Sequence, residues 1–292
     1  MKKTILNSAI YLILLSNLCA DNTSNLLTYS KIECRLEEEV ETDRNYKHSH
    51  HHHHSSTTTV APSRAPRPNI HIEQGCSNNW SGYVSMTDIH NPALGSVSFV
   101  SGTWIVPQLL PTPDTSYTAI WVGIDGYASP SVEQLGTEHV WINGAQQNIA
   151  WYEMYPNPAY QIDGFPVSVG DVIEAAVTYT GSNQFQLKII NHTQNVYTVI
   201  PANLTQSSTA NRNSAEWIVE APYSSGILPL SDFQTITFSN CKAVINNTNG
   251  SIADGSWQAD DLTMVSSIGV TKATPSNLSS DYESFTVSWS HE

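Results

Sequence analysis

The sequence predicts an all-β protein, a β-sandwich in its simplest form, on three observations. Short runs rich in Val, Ile, Thr and aromatic residues recur from Asn78 to the C-terminus. Clusters of Gly, Pro, Asn, Asp and Ser, such as PTPDTS, TGSNQ and NNTNGS, separate them. No segment holds a 3.6-residue apolar period.

Residues 1–20, MKKTILNSAIYLILLSNLCA, combine two lysines, an apolar run from Ile5 to Leu18 and a small residue at Ala20. That is the pattern of a secretory signal peptide, and the run is too short to span a bilayer. The mature protein is therefore expected to be secreted, with no membrane association. Residues 21–75 carry the acidic positions Glu37, Glu38, Glu39, Glu41 and Asp43, then HSHHHHH at 48–54, then SSTTTVAPSRAPRPN. Such charged, Pro-rich sequence buries too little apolar surface to fold alone and reads as a disordered pro-segment or linker. Arg64 and Arg67 offer a place for a processing cut. The histidine tract has the chemistry to bind a metal or to gain charge in acid.

The folded domain is expected over residues 76–292. Its strands read in order as GSVSFVSGTWIVP (95–107), YTAIWVGID (117–125), QNIAWYEMYP (147–156), DVIEAAVTYT (171–180) and QFQLKII (184–190). VYTVIPA (196–202), SAEWIVEAP (214–222), TITFSNCKAV (235–244) and SFTVSWS (284–290) follow. Each is dense in β-branched and aromatic residues and bounded by turn formers.

From Cys76 onward four basic residues (Lys188, Arg212, Lys242, Lys272) stand against 18 acidic ones. Nucleic-acid binding needs clustered Lys and Arg, so it is excluded from the expected functions. In acid most carboxylates are neutral, and a domain with so few cations then carries little self-repulsion. Outside the signal, Cys34, Cys76 and Cys241 allow at most one intrachain disulfide. Cys76 with Cys241 is the expected pair, both lying in the folded domain.

Common hydrolase signatures are missing: there is no G-x-S-x-G, no H-E-x-x-H, no Gly-rich phosphate loop and no D-T-G or D-S-G. Polar residues on strands remain. Strand alternation puts Glu216, Ile218 and Glu220 on one face of SAEWIVE, with Trp217 and Val219 on the other. It groups Trp151, Glu153 and Tyr155 in AWYEMYP, and Val132, Gln134 and Gly136 in SVEQLG. Each of these alone fits an ordinary solvated strand face.

Taken in order, NWSGY (79–83), VSGTWIVP (100–107), WVGIDG (121–126), Gln134 to Gly136, WYEMYP (151–156), AEWIVE (215–220) and FQTITFSNC (233–241) resemble the glutamic peptidases, or eqolisins. The resemblance covers about residues 76–290. It implies a sandwich of two antiparallel sheets, a concanavalin-like jelly roll, and a pepstatin-insensitive acid endopeptidase whose catalytic pair maps onto Gln134 and Glu220. Trp121, Asp125, Trp151, Glu153 and Tyr155 would line or support the cleft. Met154 stands where the family usually has Trp, and Tyr-Ala-Ser-Pro follows WVGIDG where a cysteine is frequent. Neither change removes a catalytic side chain.

Such a pair suits amide hydrolysis. Glu220 would take a proton from water and return it to the leaving amine, and an ordinary Glu titration near pH 4 would balance both roles. Gln134 would orient the water and donate to the oxyanion. No cofactor or metal is expected; the partners are protein or peptide substrates, and the domain is expected to be a monomer. A carbohydrate- or ligand-binding sandwich is the alternative, since exposed Trp and Tyr on a concave face also stack on sugars.

Overall fold

In the computed structural model, residues 70–200 and 204–292 are described. The predicted signal peptide, the acidic run, the histidine tract and the expected cut site at Arg64 and Arg67 lie outside them. The described residues form strands and turns without a helix, and therefore no helix long and apolar enough to cross a membrane.

The strands are β1 (His71–Ser77), β2 (Trp80–Met86), β3 (Val97–Ile105), β4 (Ser116–Ile124), β5 (Val132–Ile142), β6 (Ala145–Tyr155), β7 (Tyr160–Gln161), β8 (Val172–Gly181) and β9 (Gln184–Asn191). They continue as β10 (Val196–Val199), β11 (Leu204–Thr205), β12 (Ala215–Glu220), β13 (Thr235–Ile245), β14 (Thr248–Gly250), β15 (Gln258–Val265), β16 (Thr271–Pro275) and β17 (Phe285–Trp289). Every predicted strand is present. β1 begins five residues ahead of the expected domain boundary at 76 and pairs with β15 in parallel; the other pairings are antiparallel.

The two layers are runs of one hydrogen-bonded 17-stranded sheet rather than two separate sheets. One run places β6, β5, β4, β12, β2 and β15 side by side. The other places β16, β17, β13, β3, β8 and β9 side by side. The join is β15, which pairs with β2 through Gln258–Leu262 and then with β16 at Met264 and Val265, with a register shift between those two residues. The sheet folds over so that the two runs face each other. The Trp217 indole of β12 donates to the Ser101 carbonyl of β3 at 2.7 Å, and the Trp104 indole of β3 donates to Thr137 Oγ1 of β5 at 3.0 Å. Between them lies the larger apolar core, including Trp104, Leu135, Phe185, Trp217, Phe238 and Val287. Tryptophans suit this layer because each buries a large apolar body while its one donor finds a carbonyl or hydroxyl.

The expected Cys76–Cys241 bridge does not form. Cys241 is a free thiol fully buried in the core, while Cys76 is disulfide-bonded. Lying in the same folded domain did not bring the two together, because disulfides require Cβ atoms about 4 Å apart.

Candidate active site

The first run presents its outer face to the site. Across β2, β12, β4, β5 and β6, one register row is Trp80, Glu220, Ala119, Glu138 and Ile149. The next is Gly82, Ile218, Trp121, Gly136 and Trp151, and a third is Val84, Glu216, Gly123, Gln134 and Glu153. Successive residues of a strand point to opposite faces, so these side chains share one surface. Their neighbours Val122, Leu135, Trp217 and Val219 turn into the core. A second apolar cluster of Trp80, Ala119, Trp121, Tyr127, Trp151 and Ile218 packs on the site face.

Glu220, the last residue of β12, is held at both oxygens. Trp121 Nε1 donates to Oε2 at 2.8 Å and Asn79 Nδ2 donates to Oε1 at 3.1 Å; the Trp80 side chain adds a further hydrogen bond. Trp80 and Trp121 meet edge to face at 5.0 Å between ring centroids, which fixes both indoles. Burial pushes the Glu220 carboxyl up to about 7 against these donors, which favour its ionised form. The ordinary carboxylate titration expected from sequence is thus displaced toward neutrality.

Gln134 sits beside Glu153, its cross-strand partner on β6, and its Nε2 donates to Glu153 Oε2 at 2.6 Å. Gln134 Oε1 is buried without a hydrogen-bond partner among the described residues, an arrangement that costs about 1–3 kcal/mol unless a ligand or water donates to it. Burial lifts Glu153 to about 8, the Gln134 hydrogen bond opposing and the Glu220 charge adding to the rise. Gly136 of the Q-x-G element has a steric reason: a Cβ there would lie 2.0 Å from the Ile120 carbonyl oxygen.

The remaining expected residues divide. Trp121 and Trp151 flank Gly136 on the site face, and Tyr155 ends the same alternation at the rim. Asp125 lies further from Glu220. It is buried at the exit of β4 with φ 70°, and its carboxylate accepts the backbone N–H groups of Arg212 (2.7 Å) and Asn213 (2.9 Å). It anchors the segment leading into β12 and so positions Glu220 from a distance. Burial raises it to about 6 against those N–H donors. Sequence reasoning did not single out Asn79, Trp80 or Glu138. The first two lie within NWSGY, but their bond to Glu220 spans 141 residues for Asn79 and depends on the β2–β12 register. Among the described residues no three His, Cys, Asp or Glu side chains are arranged to hold a metal ion.

The site can therefore offer a fixed carboxylate, an anchored amide with an open acceptor and a wall of indoles. Comparison with known proteins gives a consistent picture. The profile of the Peptidase A4 family matches residues 78–289. Aspergillopepsin-2 of Aspergillus niger is 28% identical over 187 residues, 57% of this chain and 64% of that protein. Scytalidopepsin B of Scytalidium lignicola is 29% identical over 150 residues, 51% of this chain and 53% of that protein. The chain thus spans less than two thirds of the length of these relatives. Among solved structures, scytalido-glutamic peptidase with a transition state analog inhibitor has a TM-score of 0.61 at 22% identity, covering 73% of this chain and 98% of that one. Aspergilloglutamic peptidase from Aspergillus niger has a TM-score of 0.54 at 25% identity, covering 60% and 99%.

Proposed function

The chain belongs to the Peptidase A4 family, and from that membership we propose a secreted glutamic endopeptidase that cleaves peptide bonds on the acid side of neutrality with Glu220 and Gln134. The observation that carries the proposal is the restraint on Glu220, a buried carboxylate held by Trp121 and Asn79 on the same face as an amide with an unpartnered oxygen. Peptide substrates are favoured by the relatives: the solved neighbours include complexes with a transition state analog inhibitor and with the tripeptide Ala-Ile-His.

In this reading a water attacks the scissile carbonyl as ionised Glu220 takes its proton. The C–O bond forms, and the carbonyl electrons move onto oxygen. Gln134 carries two amide N–H donors; one is engaged by Glu153, and the other can meet the oxyanion while Oε1 accepts from the water. Collapse of the tetrahedral species breaks the C–N bond, and Glu220 returns its proton to the leaving amine. A water donating to Glu220 also favours the carboxylate, against the upward push of burial. The proposed activity falls on the acid side of neutrality, where Glu220 has begun to ionise.

A sugar-binding reading needs exposed aromatic faces. Trp80, Trp121 and Trp151 are instead buried, and no stacking platform is left on them. The test is activity on a denatured protein in the presence of pepstatin: Glu220→Gln and Gln134→Ala should each lose on the order of 10²-fold or more in kcat. Wild-type rates in Glu220→Gln would refute the assignment.

A further inference from the structure

Glu138 enters neither the expected site nor the mechanism above, yet it stands on Glu220's own row. Ala119 of β4 lies between them, paired to Glu220 on one side and to Glu138 on the other. Two strand spacings separate their backbones by about 10 Å. Both side chains rise from the same face on either side of the small Ala119, and the charge on Glu220 is felt at Glu138. Glu138 is buried on this shared face.

Among the described residues no cation pairs with it. The titratable groups facing it are Glu220 from β12 and Tyr117 from β4, while β6 presents Ile149. His139, its chain neighbour, points to the opposite face and bonds Thr137 and Asn148. Of the domain's cations, Arg212 lies over the Tyr179 ring and Lys242 pairs with Glu283. Lys188 is on β9 and Lys272 on β16, both in the other run.

We infer that Glu138 is a positioning residue for the proposed hydrolysis, the proton-holding member of an acid pair with Glu220 whose ionisation sets the alkaline limit of activity. This rests on the reading of Glu220 as the base. Like charges sharing a site lose their protons in two separated steps. Burial lifts both carboxyls to about 7, with the Glu220 charge part of the rise at Glu138. Trp121 and Asn79 donate to Glu220 and favour its ionised form, and Glu138 has no such donors among the described residues, so Glu220 ionises first. In the working state Glu220 is charged and Glu138 neutral; Glu138 keeps its proton throughout, and no bond to it changes. When Glu138 also ionises, a second negative charge faces the developing oxyanion and the rate falls.

The experiment is the pH dependence of kcat/KM for wild type, Glu138→Gln and Glu138→Asp, read where tryptophan fluorescence reports a folded protein. Glu138→Gln, which cannot ionise, should move the alkaline limb up by about one pH unit, while Glu138→Asp keeps a limb. A Glu138→Gln profile superimposable on wild type overturns the inference. Carboxyl 13C NMR titration of wild type and Glu220→Gln is the second arm, independent of turnover and of how Glu138→Gln folds. Glu138 should titrate at lower pH once Glu220 cannot carry charge; an unmoved titration also overturns the pairing. Absence of cleavage by wild type would instead count against the peptidase reading, with the NMR arm still deciding the pair.

Discussion

At the scale of single residues, Glu220 is governed by competition between burial, which favours its neutral form, and donors, which favour the carboxylate. Trp121 donates to Glu220 at 2.8 Å, a shorter contact than that of Asn79 at 3.1 Å. Trp121→Phe removes the N–H and keeps most of the ring. A hydrogen bond to a charged group contributes about 1.5–3 kcal/mol, so Glu220 should titrate about one unit or more higher. The acid limb of kcat/KM then moves to higher pH; an acid limb that stays in place would mean that Trp121 does not tune the base. Strand alternation alone grouped Glu216 with Glu220 and Trp151 with Glu153 and Tyr155, and the register bears these groupings out. It could not place Asn79 or Glu138 against Glu220, because those neighbours exist only after strands from distant parts of the chain have paired. Asp125 was legible in kind only: its place within WVGIDG suggested a residue lining or supporting the cleft, while its bonds to the Arg212 and Asn213 N–H groups emerge from the fold.

At the scale of elements, β5 carries the site because it can lie close to β4, and Gly136 permits that approach. Gly136→Ala would drive a methyl into the Ile120 carbonyl and the Trp121 Cβ, 2.0 and 2.7 Å away. Backbone cannot yield there as a flexible side chain would, so stability should fall by about 3 kcal/mol or more, read from denaturant unfolding at pH 4. A loss under about 0.5 kcal/mol, the size of an ordinary surface change, would show that β5 can shift. The strands rich in Val, Ile and aromatics were legible in the sequence, whereas β15 was not. Its Asp260 and Asp261 are poor strand formers, and Asp260 is accommodated by the Tyr127 hydroxyl donating at 2.5 Å. With β15 unread, the strand that joins both runs into one sheet was invisible, and the two sheets implied by the family resemblance stood uncorrected.

At the scale of the whole molecule, the acidic composition becomes a statement about stability. Glu138 and Glu220 are raised to about 7, Glu153 to about 8 and Asp125 to about 6, each chiefly by burial, and Glu133 and Glu216 are raised well beyond the ordinary range. A raised carboxyl binds its proton more tightly folded than unfolded. Below the unfolded value of about 4 both states are protonated and nothing is lost; above it the unfolded chain alone releases protons. Stability therefore falls as pH rises from about 4 toward about 8, as the unfolded chain releases protons that the folded one keeps. Melting temperature should be highest at or below about pH 4 and decline steadily toward neutrality; a melting temperature that rises over this range would contradict the burial of ionisable groups described here.

Hydrolysis of a denatured protein by the purified chain from pH 2 to 8, with pepstatin present and Glu220→Gln alongside, bears most directly on the proposed activity. The expected result is pepstatin-resistant cleavage, greatest on the acid side of neutrality and absent in the variant. Cleavage that persists in Glu220→Gln, or no cleavage by the wild-type chain at any pH, would contradict the assignment of Glu220 as the catalytic base.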